Sequence, residues 1–311
     1  MAQRKTGSTG LSARDAARLL PCLTSFMAST DSRARIAFDP LEFPHRYRDP
    51  RDIEVSGLLA AALAYGRADL FRPKVHALLE RMGPSPAAFV RGLDVEGARA
   101  LLEGFVYRFN VGTDVAVLLL GMGRALREHG SLEALFVRGL ETSGTWHGAL
   151  AAFTAALRDV PMGPLRQALG PERGLQHLLP SPLGGGAAKR LNLFLRWMVR
   201  GPDGVDLGVW TRVRPSALLI PLDTHIGRIS KHLGLTRRND LSWRTAEEVT
   251  ASLRALDAED PVRFDFALCH YGMSGVCPTQ PVVAHCARCL LLPACGAGQK
   301  TMKAGGARAT R

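Results

Sequence analysis

The chain is predicted to be all-α, built from many short helices. Three observations carry this. Apolar residues recur at helical spacing along most of the 311 residues. No sustained alternation of apolar and polar residues marks a strand, and no Asn-Gly or Asp-Gly hairpin signal sits between such runs. Proline and glycine clusters at Gly83–Pro86, Pro180–Gly186 and Gly201–Gly204 cut the chain into helix-sized pieces.

Taken in order, Leu11 to Met27 carries an apolar stripe with Ser12 as its N-cap. Asp52 is expected to open the next helix, which runs through Leu58–Leu63 to Tyr65. Asp114 to His129 is too long and too periodic for a strand. Ser131–Leu140 and Trp146–Leu157 follow, and Ser242 starts a helix with Leu253 and Leu256 on its apolar side. From Gly296 to Arg311 the chain is rich in Gly and Ala with scattered Lys and Arg, the composition of a disordered basic tail.

Hydrophobic residues make up 46% of the chain, enough for a buried core. The formal charge is +12, from 40 Lys and Arg against 28 Asp and Glu, which suits an anionic partner such as nucleic acid. No run of eighteen apolar residues is present, so no membrane span is expected. Met1–Gly10 lacks the apolar core of a secretory signal, and a cytoplasmic location is expected.

Five of six cysteines fall between Cys269 and Cys295, a clustering that favours metal binding over disulfides. Cys277, Cys286, Cys289 and Cys295 have the spacing C-x8-C-x2-C-x5-C. Four thiolates this close can surround one centre. The single short Cys-x-x-Cys pair favours a cubane [4Fe–4S] cluster, with zinc the alternative. Cys22 and Cys269 are expected to be buried apolar residues.

Upstream, Leu178–Arg200 joins a Pro/Gly-rich turn to a helix. Gly184, Gly185 and Gly186 allow close approach of a ligand, and the helix N-terminus beyond them offers N–H groups to a phosphate. Lys189, Arg190, Arg196 and Arg200 are candidate phosphate contacts or members of a solvated face. Asp223 begins a helix that ends at Gly234, a place where Asp is commonly an N-cap.

These three elements together resemble the endonuclease III superfamily of helix-hairpin-helix DNA glycosylases. The order is shared: hairpin, helix beginning with Lys, Asp223-Thr224-His225-Ile226-x-Arg228, then the four cysteines, with the first cysteine gap two residues longer here. Phe266–Cys277 is similar to the family helix that leads into the cluster. The likeness covers about residues 53–295, is most specific from Leu179 onward, and points to a bacterial branch apart from the well-known members. It implies a two-module helix-hairpin-helix glycosylase fold with an iron–sulfur cluster loop. The expected divisions are an N-terminal helical segment (1–50) packing with the C-terminal module, a helical barrel (51–200), the catalytic-Asp and cluster module (201–295) and the tail (296–311).

The resemblance further implies a monomer acting on double-stranded DNA, in base excision repair. Asp223 matches the catalytic aspartate. Lys189 is the nearest match to the lysine nucleophile of members that also cleave abasic sites, and the alternative role is a DNA contact. The hairpin glycines, Arg190, Arg228 and Arg288 are expected on DNA, and the cluster is expected to be a structural staple.

Four departures stand out. The hairpin is longer than the family's Leu-Pro-Gly-x-Gly, leaving Lys189 one residue further from the last glycine. An insertion of about sixteen residues, with Trp197, Asp206 and Trp210 in or beside it, precedes Asp223 and is a candidate pocket wall. Gly66 stands where the family has a glutamine wedge, so Tyr65 or Arg67 is expected to fill the space left by a flipped base. Ala62 stands where adenine-specific members have Glu, which argues against that specificity, and Glu54 is expected to face solvent or cap a helix. The competing readings are a non-catalytic iron–sulfur DNA-binding protein and a zinc-stapled nucleic-acid module.

Overall fold

The computed structural model describes residues 11–309. Helices dominate: α1 (Ala13–Ala28), α2 (Ser32–Ile36), α3 (Pro50–Leu63), α4 (Ala68–Met82), α5 (Pro86–Gly92) and α6 (Val95–Leu102) come first. A small antiparallel hairpin follows, β1 (Val106–Tyr107) and β2 (Asn110–Val111). Then come α7 (Gly112–His129), α8 (Leu132–Ser143), α9 (Trp146–Arg158), α10 (Met162–Leu169), α11 (Leu175–Leu178) and α12 (Lys189–Val199). The chain closes with α13 (Thr224–Leu233), α14 (Trp243–Arg254), α15 (Asp265–Met273), α16 (Val283–Cys286) and α17 (Gly296–Ala309).

The chain divides into two compact units. One comprises residues 33–184 and 193–213. Its core is built on α3 and α7, which are buried nearly all round, with Phe136, Phe153, Phe194 and Trp197 packed fully out of solvent. Of the two places expected for Glu54, solvent or a helix cap, it takes the cap, and it is buried there. Its buried carboxylate accepts the Leu132 and Glu133 N–H groups at the start of α8 (3.1 and 3.0 Å) and the Trp210 indole N–H (2.7 Å).

The expected pocket wall before Asp223 is a buried brace within this unit. Asp206 is 1% exposed and pairs with Arg196 (3.1 Å) and Arg200, while Trp210 is buried on Phe136 and Phe194. Arg196 and Arg200 therefore belong to the core, not to a phosphate-binding or solvated face. The pairing explains the difference, because a buried charge persists only with a partner.

The other unit comprises residues 11–32, 185–192 and 214–309 of the described chain. Ser12 caps α1, which buries Leu19, Leu23 and Phe26 and packs on the turn at Leu292–Ala294. The unit boundaries differ from the expected ones: residues 33–50 and 201–213 group with the unit built on α3 and α7, and residues 185–192, with the start of α12, group with the cysteine-bearing unit.

The segment from Gly296 is helix α17, not a disordered tail. Its N-terminal turn is tied down by Gly298 N–H to Cys295 Sγ (3.3 Å) and by Gln299 to the Pro293 carbonyl (2.7 Å). Met1–Gly10, with the secretory-signal expectation, and Thr310–Arg311 at the tail's end lie outside the described residues.

Candidate active site and cysteine centre

Helix α13 is held by a buried stripe of Ile226, Ile229 and Leu233, and Gly234 closes it in the left-handed conformation. Asp223 is its N-cap. One carboxylate oxygen, Oδ1, accepts the His225 and Ile226 N–H groups, both at 2.9 Å. The other, Oδ2, lies 3.8 Å from Lys189 Nζ. Capping and presentation thus use different oxygens of one side chain.

Lys189 is the first residue of α12. It is placed by a braced turn. Ala187 N–H donates to the Leu241 carbonyl (3.2 Å), Trp243 N–H to the Gly185 carbonyl (2.9 Å), and the fully buried Asn192 amide to the Ala187 carbonyl (3.0 Å). Ala188 sits at φ +45°, where a side chain is strained. The Lys189 and Asp223 side chains remain 29% and 21% exposed. A pair this open contributes at most about 1 kcal/mol. A cation at a helix N-terminus costs about 0.3–1 kcal/mol against the helix dipole. The two nearly cancel, so stability gives little reason for the pair.

A Cβ added at Gly184, Gly185 or Gly186 would meet no atom within 4 Å. Only Gly185 has a positive φ, +79°. Packing does not demand glycine at Gly184 and Gly186, and all three glycines are exposed.

Cys269 on α15 is half-buried, with Sγ 3.8 Å from Asp223 Oδ2. Sequence reasoning placed it as an inert core residue, because nothing in its spacing ties it to a residue 46 positions earlier. Arg228 is engaged inside the unit. It donates to the Gly272 carbonyl (2.7 Å), across a crossing so close that a Cβ on Gly272 would lie 2.8 Å from His225 Cβ. Arg190 is half-buried and Arg288 is exposed. In the other unit, Tyr65 is half-buried, and Arg67 is exposed and paired with Asp69 (2.6 Å).

Cys277, Cys286, Cys289 and Cys295 line one cavity together with His232, Tyr271, Leu292 and Gly298. All four are free thiols of intermediate burial. Burial pushes Cys277 up to about 11, with Cys295, Cys289 and Cys286 adding to the rise. Burial first, then nearby thiols, also raises Cys286, and burial leads the rise at Cys295.

Hydrogen-bond donors point at the sulfurs: Tyr271 O–H at Cys289 Sγ (3.3 Å) and Gly298 N–H at Cys295 Sγ (3.3 Å). His232 Nδ1 lies 3.4 Å from Cys277 Sγ. Among the described residues, no three His, Cys, Asp or Glu side chains are disposed as they stand to hold an ion. Four soft donors around one cavity, with donors aimed at sulfur, nevertheless fit a thiolate-ligated centre. Sequence spacing found the thiols but not His232 or Tyr271, which reach them through the fold.

Residues 39–274 match a family model described as Protein of unknown function (DUF2400). The chain belongs to this family. No curated protein and no solved structure matches the chain. The DUF2400 match takes in Lys189, Asp223 and Cys269 and ends before Cys277. The four cysteines thus lie outside the stretch that defines membership.

Proposed function

We propose that this DUF2400 protein is a base-excision DNA glycosylase, with Asp223 as catalytic carboxylate and Lys189 as an amine nucleophile that adds lyase activity. The supporting observation is the approach of Lys189 Nζ to Asp223 Oδ2, 3.8 Å apart and partly open to solvent, at the N-termini of two helices. On the turn that leads into Lys189, Gly185 and Gly186 are exposed and carry no side chain to keep a phosphate away. The +12 charge suits DNA.

The target base must leave the stack before its glycosidic bond is reached. As that bond breaks, its electron pair departs with the base and positive charge develops on the sugar. Asp223 Oδ2 stabilises that charge. Water then adds at the sugar carbon and gives up a proton to the Asp223 carboxylate, which returns it to the departed base. In the lyase branch Lys189 first passes a proton to Asp223, and its neutral amine attacks the same carbon. The Schiff base forms as the bond from that carbon to the ring oxygen breaks and the oxygen takes up the proton from Asp223; loss of a proton from the neighbouring sugar carbon then expels the 3′ phosphate as leaving group, which breaks the strand.

The four cysteines would hold a [4Fe–4S] cluster, which when bound clamps the loop between Cys277 and Cys295. Exposed His285 and Arg288 on that loop are available to phosphates. Anaerobically purified protein is expected to be brown; a colourless protein with one bound zinc favours the zinc alternative.

The test is incubation with duplexes carrying a panel of damaged bases, with and without borohydride. Base release lost in Asp223→Asn but kept in Lys189→Gln, and adduct trapping lost in Lys189→Gln, are the expected results. No release and no adduct on any lesion, with DNA still bound, overturns the enzyme in favour of a DNA-binding protein.

A further inference from the structure

The β1–β2 hairpin carries a feature that the chemistry at Asp223 does not use. Its two-residue turn is Arg108-Phe109. Arg108 is held at φ +53°, a conformation that costs a side-chain-bearing residue of order 1 kcal/mol. Phe109 is 43% exposed and Val106 51%. A strained turn that lifts an aromatic ring into water costs stability twice.

The tip is nonetheless rigidly backed. Phe109 stacks on Tyr65, with centroids 5.3 Å apart and planes at 14°, and meets His177 edge-on at 4.3 Å. The Tyr65 hydroxyl donates to Asn110 Oδ1 (2.6 Å), and the Asn110 amide donates to Asp114 Oδ2 (3.1 Å) on α7. The same carboxylate also takes the N–H groups of Val111, Arg173 and Gly174. Tyr107 O–H returns to the Tyr65 carbonyl. Two strands of two residues would not hold this shape alone; the relay from α7 holds it.

Gly66 belongs to the same arrangement. It has φ +77°, and a Cβ there would lie 2.5 Å from the Arg108 guanidinium and 3.0 Å from the Tyr107 hydroxyl. The end of α3 is therefore kept bare so that Arg108 can lie over it. Arg108, and Lys74 over Phe105, are the cations of this region, while Arg67 is paired with Asp69.

We infer that the Arg108-Phe109 tip is a nucleobase-stacking surface, with Phe109 as the face that meets an unpaired base in DNA and Arg108 as its phosphate contact. This rests on the DNA reading proposed above. A ring stacked on Tyr65, 43% exposed and with the Arg108 guanidinium 5.9 Å from its centroid, offers what a stacked base requires: an accessible π surface beside a cation for the phosphate. Tyr65 supports the ring from behind.

The test measures binding by anisotropy to two duplexes, one fully paired and one carrying a single unpaired base. Phe109→Ala is expected to weaken binding to the second about 5- to 150-fold, the effect of one aromatic–base stack. Binding to the paired duplex should be unchanged. Phe109→Trp should keep the affinity, and its added emission should be quenched by the unpaired-base duplex only. Equal affinity of Phe109→Ala and wild type for the unpaired-base duplex, with no quenching in Phe109→Trp, overturns the inference alone. Failure of the wild type to bind either duplex overturns it together with the DNA reading. A cooperative melting transition confirms that Phe109→Ala, which loses its contacts with Tyr65 and His177, still folds.

Discussion

Asp223 combines two tasks that substitution can separate. Asn caps a helix about as well as Asp, so Asp223→Asn should leave the melting temperature nearly unchanged while base release falls about 100- to 1,000-fold, the scale of one lost electrostatic contact to a transition state. Parallel losses of stability and activity would mean that the residue is only a cap. Glu54 sets a second test.

Burial outweighs the N–H donors around the Glu54 carboxyl and lifts it from 4.5 to about 6. Its folded value is the raised one, so protonation favours the fold. That contribution is complete below pH 4.5 and is lost as pH rises through 6, amounting to about 2 kcal/mol. The stability of wild type relative to Glu54→Gln should therefore fall between pH 4.5 and 6.5; a flat difference across that range contradicts the account. Asp223 was visible in the sequence because a cap needs only local neighbours. Glu54 and Cys269 were not, because what surrounds them comes from far along the chain.

Two helices tie the carboxylate to the cysteines. Helix α13 starts at Asp223, and His232 near its other end lies against Cys277 and accepts from Cys295 Sγ through its carbonyl (3.5 Å). Helix α15 carries Cys269 beside Asp223 and Tyr271 beside Cys289. Tyr271→Phe keeps the edge contact with Phe26 but removes the O–H directed at sulfur. It should weaken retention of the bound centre against a chelator about 10- to 100-fold, followed as loss of colour or metal.

In the other unit, Asp206→Ala leaves Arg196 and Arg200 buried without their carboxylate and should cost about 3–5 kcal/mol in denaturant unfolding. A loss below 1 kcal/mol would show the brace to be dispensable. Capped, periodic helices such as α1, α7, α8, α9 and α14 could be read from the sequence within a few residues. The β1–β2 hairpin escaped because two-residue strands have no period, and the segment at Asp206 reads as a pocket wall in the sequence because nothing there shows that Arg196 and Arg200 are buried against it.

At the scale of the molecule, the all-α class followed from periodicity and punctuation, whereas the unit boundaries did not. Residues 185–192 and 193–213 fall in different units although α12 runs through the junction, and no composition change marks that point. Among the described residues no helix is long and apolar enough to cross a membrane. The +12 charge predicts that raising salt from 50 to 200 mM weakens DNA binding by about 100-fold or more, as release of a few counterions requires; salt-insensitive binding would argue against phosphate contacts.

In the proposed reaction the Asp223 carboxylate acts on the sugar of a nucleotide in DNA. The most direct measurement is single-turnover base release from a lesion-bearing duplex, wild type beside Asp223→Asn at matched DNA occupancy. The account predicts free base from the wild type and a rate at least about 100-fold lower from the variant. Equal rates from the two proteins would contradict it.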